Sequence, residues 1–168
     1  MVQLRDPLPV DAPAEQRVMR ELRRVRIRKD LDQREEKRLL RQLGTLIAEG
    51  VINQTQVAAG LLVSQPAISK SLKNVDDVPE PPEGFAGADP YEIASRYAVE
   101  EIDRAEMIRQ LSRWSYAPSA TTDGLHDDLL IEDSGTFADV LRAYHDGLID
   151  AGAYDEILVG QGRQSGPA

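Results

Sequence analysis

Residues 53–72, NQTQVAAGLLVSQPAISKSL, announce two helix starts eleven positions apart, and this most constrains the fold. Asn53 is a good N-cap, because its side-chain oxygen can accept from the unpaired amides of a first helical turn. Ser64 can cap a second helix, and Pro66 falls in that helix's first turn, where a missing amide costs little. Val57, Ala58, Leu61, Val63, Ile68 and Leu72 supply an apolar set interrupted at the turn. The small Ala58 lets the second helix cross closely over the first. A helix begun in this way turns Gln65 and Ser69 outward.

This spacing resembles the helix-turn-helix of Cro/Xre-like bacterial transcriptional regulators, over residues 53–73 of the 168. The resemblance implies a DNA-binding module whose recognition helix is residues 64–73, entering the major groove by its N-terminal end. There glutamine can pair with adenine through two hydrogen bonds, and serine can donate or accept. The expected DNA-contacting residues are Gln54, Thr55, Ser64, Gln65, Pro66, Ala67, Ser69, Lys70 and Lys73. Regulators of this kind usually carry glycine in the turn, where this chain has Leu62. Glycine tolerates positive φ, so a leucine there implies strain or a slightly different turn.

A net charge of −9 is unusual for a DNA binder until the chain is divided. Residues 1–75 hold 14 Lys and Arg against 9 Asp and Glu, whereas residues 76–168 hold 6 against 20. A basic part with the helix-turn-helix and an acidic part without it imply two jobs, with DNA contacts confined to the first.

Residues 1–13 contain Pro7 and Pro9 with little periodicity, and read as a flexible leader. A helix is expected over 14–28, with Val18, Leu22 and Val25 on one face and Arg17, Arg20, Arg24 and Arg28 on another. Asp32 with Glu35 resembles a capping box for a second helix. Its apolar face is Leu39, Leu40, Leu43, Leu46 and Ile47, and Gly50 is the expected C-cap. Arg34, Lys37, Arg38 and Arg41 lie nearly opposite, as either solvated surface or an edge that contacts phosphates.

Residues 75–90 alternate acids with Pro79, Pro81, Pro82 and Pro90, and read as an extended linker. The acidic part, 91–159, is expected to be helical over 91–100, 104–114, 136–145 and 151–159, with Asp103 a cap. Residues 118–133 are polar and turn-rich, and the Gly/Ser/Gln-rich tail 160–168 reads as disordered. Tyr97, Ile102, Asp103 and Leu111 recur at the spacing of Tyr144, Ile149, Asp150 and Leu158. Residues 47–53 follow the same plan, which marks a shared helix-to-helix connector. The expected fold is therefore all-α: an N-terminal helix-turn-helix bundle (14–74), a Pro-rich acidic linker and a small acidic helical C-terminal domain.

With no cysteine, disulfides, thiolate zinc sites and cysteine nucleophiles are excluded. His126 with Asp127 and Asp128, and His145 with Asp146, make poor metal signals, because no His pair sits at helical spacing. Neither a phosphate-binding glycine loop nor a nucleophile elbow is present, so no catalytic residue, metal or cofactor is expected, and no enzyme. No apolar run approaches the ~20 residues that span a bilayer. A cytoplasmic, nucleoid-associated protein is the expectation. Arg113, Trp114 and Tyr116 form the densest aromatic group, read either as core at a helix end or as an anchor for a protein partner.

Three functions fit these features. The first is a transcriptional regulator, most simply a repressor, binding double-stranded DNA and able to act as a homodimer. The second is an antitoxin-like or immunity protein, whose acidic C-terminal part holds a protein and whose helix-turn-helix represses its own operon. The third is an adaptor whose helix-turn-helix no longer binds DNA.

Overall fold

The computed structural model describes residues 4–75, 78–117 and 135–162. Among these residues the fold is all-helical, with seven helices and one isolated bridge between Ala117 and Thr136. Asp76, Asp77, the whole turn-rich stretch 118–133 with His126, Asp127 and Asp128, and residues 163–168 lie outside the described residues.

The first helix, α1, runs unbroken from Ala14 to Ala48, where two helices were expected. Lys29, Asp30 and Leu31 contain neither glycine nor proline, so nothing stops the first helix before Asp32. Asp32 is therefore an internal helical residue and caps nothing. The chain divides into two compact units: Met1–Arg28 with Pro81–Ala168, and Lys29–Glu80. The boundary thus falls inside α1 and not in front of it, because the first turns of α1 pack with the acidic helices.

In the larger unit, α4 (Pro90–Ala98) and α5 (Arg104–Arg113) form one helical hairpin, and α6 (Ala138–His145) and α7 (Ala151–Gly160) form another. Like pairs with like: α4 packs on α6 and α5 on α7. Ile93, Met107, Leu111, Val140, Leu148, Ile149 and Ile157 are buried between them. Pro90 opens α4, one residue before the expected start, behind the cap Asp89, whose carboxylate accepts from the Glu92 amide at 2.7 Å. The leader is anchored where flexibility was expected. Leu4 is buried in this core and donates its amide to the Gly147 carbonyl at 3.1 Å.

Both hairpins use one connector, and so does the passage from α1 to α2 (Gln54–Gly60). Each first helix ends with a residue in the left-handed region: Gly50, Glu100 and Gly147, with φ of 76°, 72° and 66°. The next amide closes a six-residue ring back onto the helix: Val51 to Leu46, Glu101 to Arg96 and Leu148 to Ala143, at 2.9–3.0 Å. Ile52, Ile102 or Ile149 follows and packs inward, and Asn53, Asp103 or Asp150 then caps the next helix. The recurrence of isoleucine and aspartate in the sequence is this device.

In the smaller unit, α2 packs on α3 (Gln65–Lys73). Val57, Ala58 and Ile68 are buried, with Leu43, Ile47, Ile52 and Leu72 packed around them. The segment after α3 is tied to α1. Arg38 Nε donates to the Pro79 carbonyl at 3.0 Å, and Arg41 donates to that of Val78 and lies 4.0 Å from Glu80.

Candidate nucleic-acid interface

Asn53 heads α2 with a reciprocal cap. Its side chain accepts from the Gln56 amide at 2.9 Å, and the Gln56 side chain accepts from the Asn53 amide at 3.0 Å. At the other end of α2, Leu62 takes φ 57°. The amides of Leu62 and Val63 close onto the Ala59 and Ala58 carbonyls at 3.3 and 3.0 Å. This is the same helix-ending device as in the three connectors, with leucine in the position that favours glycine. Leu62 itself is 92% exposed, so its side chain gains little from packing there.

Ser64 then starts α3, its hydroxyl accepting from the Ala67 amide at 3.3 Å. Pro66 has no amide to offer and that of Ala67 is capped, so the N-terminus of α3 presents side chains more than backbone donors. Gln65 and Gln54, both at helix starts, meet here: Gln65 Nε2 donates to Gln54 Oε1 at 2.8 Å. Thr55, Ser64, Gln65, Pro66, Ala67, Lys70 and Lys73 are exposed, and Gln54 and Ser69 half-buried. The expected contact residues therefore come together around the starts of α2 and α3 on one exposed surface.

The four basic residues of α1 fare differently. Arg38 is 2% exposed, with Glu35 3.8 Å away and the Pro79 carbonyl on its Nε, so its guanidinium serves the interior and not a phosphate. Arg41 is committed to Val78 and Glu80. Arg34 and Lys37 are half-buried and hold interactions of their own within the protein. The compact unit Lys29–Glu80 contains 7 Lys and Arg against 8 Asp and Glu. Of the basic excess of five in residues 1–75, three fall in Met1–Arg28 and two in residues 29–75, and Asp76, Asp77 and Glu80 cancel the latter within the smaller unit.

That excess faces acidic helices in its own unit. Arg24 pairs with Glu100 at 2.9 Å, Arg28 donates to the Val99 carbonyl at 3.3 Å, and Arg5 lies over the Tyr97 ring at 4.4 Å. Part of the negative charge of the acidic helices is therefore met by Arg24 of α1 itself.

The aromatic group near the end of α5 is packed internally. Trp114 meets Phe85 edge-on at 4.9 Å, and Arg113 stacks over Phe85 and donates to the Gly84 carbonyl. The Tyr116 hydroxyl donates to the Leu111 carbonyl at 2.8 Å, and its ring lies 5.1 Å from Phe137. His145 tilts against Tyr144, and Asp146 accepts from the Tyr91 hydroxyl at 2.7 Å. Burial and that hydrogen bond push the Tyr91 phenol up to about 12.

Composition could not have disclosed the Gln54–Gln65 pair; both residues were candidates, but their meeting depends on how α2 crosses α3. No family model, curated protein or solved structure matches the chain.

Proposed function

We propose that this chain is a sequence-reading transcriptional regulator, acting as a repressor, with α3 as its recognition helix. The observation that carries the reading is the Gln54–Gln65 hydrogen bond at the exposed start of α3. A glutamine amide has two N–H donors and one carbonyl acceptor. Gln54 takes one donor from Gln65 and restrains its rotation. A second donor and the Gln65 carbonyl are left over, the pair of groups that matches N7 and the N6 amino group of an adenine in the major groove. Ser69 lies one turn along the same helix, within reach of a neighbouring base. Lys70 and Lys73 serve phosphates, which position the helix without specifying sequence. Occupying an operator is enough to repress; no catalytic group is required.

Selection of duplexes from a random pool at physiological salt tests this reading. The expected outcome is a short consensus containing adenine, lost in Gln65→Ala. Recovery of no consensus, or of the same consensus by Gln65→Ala, would sink it. A palindromic consensus would indicate a homodimer on paired half-sites.

One observation favours a second reading, the antitoxin-like protein. A helix-turn-helix unit with 7 basic against 8 acidic residues has little non-specific grip on DNA, which suits intermittent autoregulation beside a main task of holding a protein. Co-purification of the full chain with the product of an adjacent gene distinguishes the two.

A further inference from the structure

The first turns of α1 use one side to pack on the acidic helices, through Arg24, Ile27 and Arg28. At 100° per residue, Val18, Met19, Leu22 and Val25 fall on the other side. They are 65, 65, 43 and 57% exposed, four large apolar side chains within two turns of one helix. Singly exposed apolar residues are ordinary, but a contiguous group rimmed by charge marks an interaction surface. Met19 and Leu22 line a cavity of about 470 Å³, closed on one side by Leu4 and Leu8 of the leader and edged by Arg20, Arg23 and Arg26.

The geometry points to this groove as a docking site for an acidic amphipathic helix of a partner protein. The apolar floor accepts side chains spaced at i, i+3, i+4 and i+7, and the arginines along the edge accept carboxylates, bidentately where geometry allows. Charge complementarity selects the partner. A basic helix would face the guanidinium groups of Arg23 and Arg26 and be repelled by them. Nucleic acid offers phosphates to the arginines but nothing apolar to Met19 and Leu22. A bilayer is broad and flat, whereas the groove is narrow.

The test uses the full chain and a fluorescein-labelled peptide of about sixteen residues, with leucine at helical spacing and glutamate elsewhere, read by anisotropy. Micromolar binding is expected. Arg23→Glu with Arg26→Glu should weaken it by about tenfold or more, and the same double variant should gain binding to a peptide with lysine in place of glutamate. Met19→Ser with Leu22→Ser should weaken both pairings, with helicity by circular dichroism unchanged. The inference is overturned if the wild-type chain ignores the acidic peptide, or if the charge reversal leaves its binding intact. It is likewise overturned if the arginine variant loses affinity for a random duplex, or for phosphatidylglycerol vesicles, while peptide binding is unchanged. These outcomes are independent of the reading of α3, whose residues none of the variants touches.

Discussion

Gln65 donates from Nε2 to the Oε1 of Gln54 across 2.8 Å, joining the first residues of α2 and α3. One glutamine thereby sets the orientation of another on an exposed helix start. If Gln65 reads a base, Gln54 is its support, and the two should fail differently. Gln65→Ala is expected to cost about 1–3 kcal/mol of discrimination at one adenine. Gln54→Ala should cost about 1 kcal/mol by loosening that amide while keeping the same consensus. Competition shift assays with the consensus and single-base variants measure both.

Salt dependence tests how few phosphates the unit can hold. With Arg38 and Arg41 committed to Val78–Glu80, Lys70 and Lys73 remain on α3. A plot of log affinity against log salt for one bound copy should have a slope of about −2, becoming about one unit shallower in Lys70→Ala.

Arg38→Ala separates a structural guanidinium from a phosphate contact. Loss of a buried charged hydrogen-bond donor to the Pro79 carbonyl should cost about 2 kcal/mol or more in denaturant unfolding. The salt slope of DNA binding should not change.

Leu62→Gly should stabilise the protein. A non-glycine residue in the left-handed region costs about 1–2 kcal/mol, partly offset by the greater freedom of glycine in the unfolded chain. Because the leucine side chain is almost fully exposed, little packing is lost. The expected net gain is about 1 kcal/mol, seen as a Tm rise of about 4 °C. Glu100→Gly, at φ 72°, should gain less, because Glu100 also pairs with Arg24 at 2.9 Å.

Alkaline pH should destabilise the acidic unit through Tyr91. Its phenol is raised in the folded state, chiefly by burial and also by the hydrogen bond to Asp146, from 10.0 to about 12. Between those values the native state retains a proton that the unfolded state has lost, so stability is full below pH 10 and falls as pH approaches 12. Tyr91→Phe should flatten that part of a stability–pH curve. Phenolate absorbance in the wild-type chain should show one tyrosine titrating late.

The caps and connectors were legible in the sequence because each is a local device. Asn53, Ser64, Asp103 and Asp150 each accept an amide three residues on, as short-range chemistry requires. The repeated isoleucine-then-cap spacing marked helix-to-helix passages before any packing was known. Asp32 shows the limit of such signals. It has the spacing of a capping box, yet lies inside α1, because a cap acts only where the helix is already interrupted. Arg38 shows another limit: periodicity placed it on a basic face, and the return of residues 78–80 covered it.

What the sequence by itself determined is the all-helical class, the positions of most helix ends, and the turn that presents Gln65, since caps, prolines and apolar spacing act within a few residues. Tertiary structure alone decided which helices share a core. It joined the first turns of α1 to the acidic helices and left the smaller unit, Lys29–Glu80, without a basic excess. It also brought Gln54 to Gln65 and buried Arg38 beneath Pro79. Those outcomes depend on which surfaces meet across long stretches of chain, where the energy of a contact lies in the partner and not in the residue alone.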